Sequence, residues 1–309
     1  MATERFPVRT KKKIAVEKVY EIKAILRDLN INTVCEAAKC PNIGECFSKP
    51  TLTFMILGNV CSRSCTFCAM EKGKPSKVDF DEPRKVAQAA RMMGLKHTII
   101  TSVARDDLAD GGALLFAHTV YEVSKQHPNS TIEVLVPDFN GCRKSIHTVL
   151  DANPNIFNHN IETVPRLYSK VRYKANYEKS LKVLKTAKRI NANVITKSGL
   201  MVGLGETEDE VLAVMRDLML NRCDILTIGQ YLQPTRDNIP VDRFITPERF
   251  VAWKEQGLRM GFRRVESAPF VRSSYNVEPF LIGTVKDRRT GSTEHGTIPA
   301  YKETAAVRI

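Results

Sequence analysis

Residues 51–68 read TLTFMILGNVCSRSCTFC, and this stretch decides the fold. Its first half, Thr51 to Leu57, is a continuous apolar run of the kind a buried strand carries. Its second half places Cys61, Cys65 and Cys68 in a C-x3-C-x2-C loop at the strand's C-terminal end. Three thiolates on one short loop suit a cube of four irons, because three corners are held and the fourth iron stays open to an outside ligand.

Downstream of this stretch, strand and helix signals alternate. Further strands are expected at Thr98–Val103, Ile132–Val136, Ile156–Ile161, Val194–Val202, Ile225–Tyr231 and, shorter, Arg263–Ser267. Helices are expected between them at Pro83–Met93, Ala113–Lys125, Ser145–Ala152, Tyr177–Ile190, Glu208–Leu220 and Pro247–Met260. Thr207 and Glu210 form a capping box, and Thr246 followed by Pro247 starts the last helix. Apolar strands each followed by a helix argue for a parallel sheet of right-handed βαβ units. The expected fold is α/β: a partial (βα)6 TIM-type barrel over residues 51–270.

Upstream lies a second triplet, Cys35, Cys40 and Cys46, in CEAAKCPNIGEC, or C-x4-C-x5-C. Pro41 and Gly44 predict a loop there. Ile14, Val19, Ile22, Ile25, Leu26 and Leu29 recur at helical spacing just before it. Residues 1–50 thus read as an N-terminal extension with its own cysteine motif, and 271–309 as a C-terminal extension with a polar, irregular tail.

The two triplets hold six of the eight cysteines and predict two four-iron, four-sulfur clusters. Zinc wants four ligands, commonly as paired C-x2-C, and neither spacing matches. The 61–68 loop resembles that of the radical S-adenosylmethionine enzymes, which implies that the amino and carboxylate groups of S-adenosylmethionine take its open iron, and that one electron then breaks a sulfonium C–S bond to give methionine and a 5′-deoxyadenosyl radical. Cys142 and Cys223 read as buried structural thiols, and His159 as a packed or hydrogen-bonded histidine.

The C-x3-C-x2-C loop after a first barrel strand resembles that of the radical S-adenosylmethionine enzymes. Gly199 to Glu206, GLMVGLGE, is similar to the G-x-I-x-G-x-x-E segment of the same enzymes, with Met201 at the isoleucine position. Gly203 and Glu206 fall in that segment. Asn160 and Glu162 are candidates for the ribose hydroxyls or the methionine amine, with Arg172, Lys197 and Ser198 as further cofactor contacts.

CEAAKCPNIGEC, TSVARDDLADGGA (101–113), NHNIETVPRLY (158–168), KSGLMVGLGE (197–206) and VRSSYNV (271–277) together resemble the lipoyl synthase family, from about residue 7 to 280. Phe47 stands where Trp is common, and Asn276-Val277 where His-Ala is common. The resemblance implies insertion of two sulfur atoms, at C6 and C8 of an octanoyl chain on a carrier-protein lysine. It implies that the cluster of Cys35, Cys40 and Cys46 is the sulfur donor, with Ser274 its fourth ligand and Ser273 the fallback. Arg272 would stabilise the alkoxide or guard that cluster. The implied partners are lipoyl domains or the glycine-cleavage H protein, a low-potential electron donor and an iron–sulfur repair protein. A biotin synthase-like or methylthiolating enzyme is the rival within this chemistry, and an iron–sulfur carrier or zinc scaffold the rival outside it.

Composition sets outer bounds. Hydrophobic content of 43% and charged content of 26% fit a globular chain, and no run approaches the ~18 apolar residues of a membrane span. The start, MATERFPVRTKKK, lacks the apolar core of a secretory signal, so a reducing cytoplasm is expected. The net charge of +13 fits a solvated basic surface, or docking of an acidic partner; no nucleic-acid motif accompanies it.

Overall fold

Among the described residues, the main sheet has seven parallel strands, and a two-residue antiparallel strand edges them. The computed structural model describes residues 16–274. In chain order the strands are β1 (Asn32–Thr33), β2 (Thr51–Ile56), β3 (His97–Ser102), β4 (Thr131–Leu135), β5 (Ile156–Asn158), β6 (Ile195–Val202), β7 (Ile225–Gln230) and β8 (Arg264–Ser267). They lie side by side in that same order. β1 pairs antiparallel with β2 and every later neighbour is parallel. The sheet is therefore an open barrel of six βα units closed off by β8.

Helix α1 (Val16–Asp28) precedes the sheet. The crossover helices are α2 (Glu82–Met92), α3 (Ala113–Gln126), α4 (Arg143–Asp151), α5 (Tyr177–Ile190), α6 (Glu208–Leu220) and α7 (Pro247–Met260). Local chemistry fixes their ends. Thr207 and Glu210 form the reciprocal capping box of α6. Thr246 caps α7, and Gly261 ends it at φ 105°. Ile22 and Leu26 of α1 are buried against the first half of the barrel, with Val19, Ile25 and Leu29 packed beside them. Ile14 lies outside the described residues.

Two local features depart from the sequence reading. The Cys35–Cys46 segment is no open loop: it forms helical turns at Val34–Ala37 and Ile43–Cys46, the first capped by Thr33, whose hydroxyl accepts from Glu36 N at 3.3 Å. Strand β5 stops at Asn158, three residues early, because the backbone turns away and Glu162 adopts φ 66° before bridging back to Leu200.

Among the described residues no helix is long and apolar enough to cross a membrane.

Candidate active site at the barrel mouth

A cavity of about 580 Å³ opens over the C-terminal ends of the strands. Cys61, Cys65 and Cys68 line it from one side, and Cys35 and Cys40 from another. Cys46, half-buried, closes its own turn at the end of the same segment. Cysteines of both triplets, separate in sequence, thus face one space.

The Cys61–Cys68 loop is built in stages. β2 ends in Leu57 and Gly58, both left-handed, at φ 67° and 83°. Val60–Cys61 then pairs with Glu71–Lys72, bracketing the loop. Inside it, Arg63 is nearly buried and is gripped by Asp106 and Asp138, with N–O distances of 2.7 Å to each. Burial would raise the Asp138 carboxyl, but hydrogen bonding to Arg63 and its charge outweigh that and hold it at about 2. This clamp ties the loop to the segments after β3 and β4. Sequence reasoning missed Arg63; the signal was its place between the cysteines, with ARDD (104–107) after β3 supplying a partner.

Asn160, Glu162 and Arg172 also line the cavity. Asn160 Nδ2 donates to Glu162 Oε1 at 3.0 Å and to Ser273 Oγ at 2.5 Å. Arg172 Nη1 donates to the Asn160 carbonyl at 3.1 Å and to Tyr168 Oη at 3.0 Å. Burial raises the Glu162 carboxyl, partly countered by Arg172. His159 is buried, pairs through Nδ1 with the Val136 carbonyl at 2.9 Å, and is driven down to about 4 by burial and by the Arg172 charge. Asn160 Oδ1, His159 Nε2 and Arg172 Nε are buried without a hydrogen-bond partner. Three unsatisfied polar atoms at one cavity wall are what a polar cofactor would satisfy.

Glycines open the same wall. A Cβ at Gly199 would sit 2.8 Å from both Asn160 Oδ1 and Ser273 Oγ. A Cβ at Gly229 would collide with the Val271 carbonyl, so this glycine lets the C-terminal segment cross the mouth. That segment is tied to the first triplet: Asn42 Nδ2 donates to the Phe270 carbonyl at 2.6 Å. Arg272, Ser273 and Ser274 then reach the cavity, and burial pushes the Arg272 guanidinium down, partly countered by the neighbouring Cys40. Tyr275 and the rest of that motif lie outside the described residues.

The remaining expectations need correction or refinement. Lys197 does not reach the cavity. It is fully buried inside the barrel, its Nζ 2.9 and 3.0 Å from the two Glu133 oxygens. Burial opposes the Glu133 charge, but Lys197, with His97 and Asn158, holds this carboxyl at about 2. An inward residue low on a strand meets the barrel's interior layer, not its mouth. Ser198 faces the other way and accepts from Ile161 N at 3.0 Å. Gly203 and Glu206 shape the turn after β6: Glu206 accepts from Gly203 N at 2.7 Å and Leu204 N at 2.9 Å, and a Gly203 side chain would strike Gln230. Met201 of the same segment does line the cavity. Cys223 is buried as expected, whereas Cys142 is exposed, at the N-cap of α4.

The donor set fits iron–sulfur clusters. Burial raises the Cys35 thiol, with Cys40 and Cys46 adding to the effect, and pushes Cys68 up to about 12. Cluster binding must therefore displace these protons. Among the described residues, no three His, Cys, Asp or Glu side chains converge on one metal-ion position. A cluster asks for something else: thiolates spread around it, each at a different iron.

A cysteine-loaded βα loop at the mouth of an open parallel barrel, beside a polar cofactor wall, defines a radical S-adenosylmethionine enzyme. The Radical SAM superfamily model accordingly matches residues 55–218. Solved structures share the fold. Streptococcus suis SuiB bound to S-adenosylmethionine superposes with a TM-score of 0.56 at 9% identity, over 82% of this chain and 61% of that one. Methylornithine synthase (PylB) gives 0.51 at 13% identity, over 94% and 86%. Curated relatives are far nearer in sequence. The lipoyl synthase of Caldanaerobacter subterraneus subsp. tengcongensis is 53% identical, over 89% of this chain and 97% of its own length. That of Rubrobacter xylanophilus is 56% identical, over 83% and 80%. The chain belongs to the lipoyl synthase family.

Proposed function

We propose that this enzyme inserts two sulfur atoms, at C6 and C8, into an octanoyl chain carried on a protein lysine. Family membership supports the reaction, and one observation carries its chemistry: Cys35 and Cys40 of the first triplet and all three cysteines of the second face a single cavity, with the Arg272–Ser274 segment at its rim. Hydrogen removal and sulfur delivery then act on one substrate carbon without its leaving the site. When bound, S-adenosylmethionine and the two clusters supply the radical that removes an unactivated hydrogen and the sulfide that takes its place.

The chain's own residues hold and orient these groups. Cys61, Cys65 and Cys68 hold the cluster that binds S-adenosylmethionine. Cys35, Cys40 and Cys46 hold the second, sulfur-donating cluster, with Ser274 as its fourth ligand. The bond between Asn160 and Ser273 favours Ser274 for that place, since Ser273 is already engaged. Ser274 would hold its corner through oxygen, which matches cluster iron less well than thiolate and so would give the weakest of the four ligands. Arg272 compensates the negative charge of this corner. Asn160, Glu162 and Arg172 present the polar wall to the cofactor, while Gly203 and Glu206 hold the turn beside it.

The N-terminal extension (1–50) brings the donor cluster to the barrel (51–270), and the C-terminal extension (271–309) supplies its last ligand. The substrates are octanoylated lipoyl domains or the glycine-cleavage H protein. A low-potential electron donor and an iron–sulfur repair protein complete the cycle. Clusters held by thiolates support a reducing cytoplasm as the compartment.

Anaerobic turnover of the reconstituted protein with an octanoyl-lysine peptide, S-adenosylmethionine and a reductant tests this by mass spectrometry. A gain of two sulfurs with deoxyadenosine is the expected result. Deoxyadenosine without sulfur gain would move the substrate elsewhere, and neither product with both clusters intact would return the chain to a carrier role.

A further inference from the structure

The loop between β7 and α7 crosses the cysteine loop and grips it. Asn238 is buried, and its Nδ2 donates to the carbonyls of Thr66 and Cys68, at 3.0 Å each. Ile239 N adds a third bond, to the Thr66 carbonyl at 3.0 Å. Asn238 is itself pinned. Its Oδ1 accepts from Thr235 Oγ1 at 2.8 Å, and its carbonyl from Gln233 Nε2 at 2.7 Å. Tyr231 Oη fixes the next residue by donating to the Ile239 carbonyl at 2.7 Å. Opposite, Thr66 N donates to the Val171 carbonyl at 3.1 Å and Thr66 Oγ1 to the Lys170 carbonyl at 2.9 Å.

The Cys65–Cys68 turn is therefore held between two loops that follow different strands. We propose that Asn238 is a positioning residue for the cluster of Cys61, Cys65 and Cys68. Its amide locks the two carbonyls that set the pitch of the turn, and so the spacing of the Cys65 and Cys68 thiolates. The inference rests on the reading of this loop as cluster-binding. Groups that orient metal ligands without touching the metal commonly change metal affinity or activity about 10–100-fold. The same segment contributes Leu232, Gln233 and Pro234 to the cavity wall, so it holds the cluster loop and shapes the substrate space together.

Two variants of the full chain test this. Asn238→Ala removes the donors. Asn238→Asp keeps the size and the Thr235 bond but turns a carboxylate oxygen towards two carbonyls. The readouts are iron lost to a chelator over time, the spectrum of the reduced cluster that responds to S-adenosylmethionine, and the rate of deoxyadenosine formation. Both variants should lose iron from this cluster about tenfold faster than wild type. Asn238→Asp should be the worse, its spectrum should change, and the Cys35–Cys46 cluster should keep wild-type retention as an internal control. Wild-type retention and spectrum in both variants would overturn the proposal, as would equal loss from both clusters. A wild-type protein that makes no deoxyadenosine would overturn the radical reading instead, and iron retention would still decide the role of Asn238.

Discussion

Asn160 and Ser273, 113 positions apart, share a 2.5 Å hydrogen bond that joins the cofactor wall to the C-terminal segment. Adjacent serines therefore have different neighbours. Ser273 steadies an amide whose other edge, Oδ1, is left open at the cavity. Ser274 is the one proposed as ligand of the donor cluster. Ser274→Cys should keep deoxyadenosine formation while lowering sulfur insertion about tenfold or more, because thiolate matches cluster iron better than oxygen and would hold that corner more tightly. Ser273→Ala should do the reverse in kind: weaker S-adenosylmethionine binding, with iron content unchanged. Sulfur gain and deoxyadenosine counted in one anaerobic assay separate the two. Equal effects in both variants would remove the distinction.

Arg63 is the counter-charge that keeps the cysteine loop folded onto the barrel. Asp138→Asn removes a carboxylate whose side chain is 0% exposed, leaving half of the guanidinium clamp. Breaking one partner of a buried pair costs about 3–5 kcal/mol, and Asp106 reduces this only in part. Thermal unfolding of the cluster-free chain should show the loss. The cluster of the neighbouring loop should also reconstitute poorly. A variant with wild-type melting and iron content would show that Asp106 alone suffices.

Lys197 and Glu133 form a charge pair with no exposed side-chain surface. Lys197→Met should destabilise by about 3–5 kcal/mol, because it strands a buried carboxylate. Adding Glu133→Gln should restore much of this, a coupling that a double-mutant cycle measures. In the double variant S-adenosylmethionine affinity should stay near wild type. A large affinity loss there would return Lys197 to the cofactor site.

How far the sequence was legible follows from which signals are local. The α6 capping box, the Thr246–Pro247 start of α7 and the apolar strand runs all act within a few residues, and each element appears there, with β5 alone ending three residues early. The cysteine spacings announced cluster chemistry because ligation itself imposes them. Lys197 misled because a strand's alternation says inward or outward, not how deep in the barrel a residue lies. Asn238 was silent, and Arg63 was marked only by its place between the cysteines, because their partners, at Thr66 and Cys68 and at Asp106 and Asp138, come together only when separate βα loops meet at the mouth. Cys142 misled in turn: its exposure follows from its place at the α4 N-cap, and composition alone does not reveal it.

Glu82, at the start of α2, predicts a pH dependence of stability. Its Oε2 accepts from Leu57 N at 2.8 Å, in the turn that launches the cysteine loop. Burial pushes its carboxyl up to about 7 from the ordinary 4.5, against the smaller effect of that hydrogen bond. A folded-state value above the unfolded one means that folding favours the protonated acid. The stabilisation is full below about 4.5 and is lost as pH rises through about 7. The shift corresponds to roughly 3 kcal/mol across that window. Glu82→Gln keeps a carbonyl acceptor for Leu57 and cannot ionise. It should be more stable than wild type above pH 7, and the difference should shrink towards pH 4.5. Denaturant unfolding of both proteins across this range checks the sign. Parallel curves would mean that Glu82 is solvated when charged, and the turn after β2 would then carry no pH-sensitive anchor.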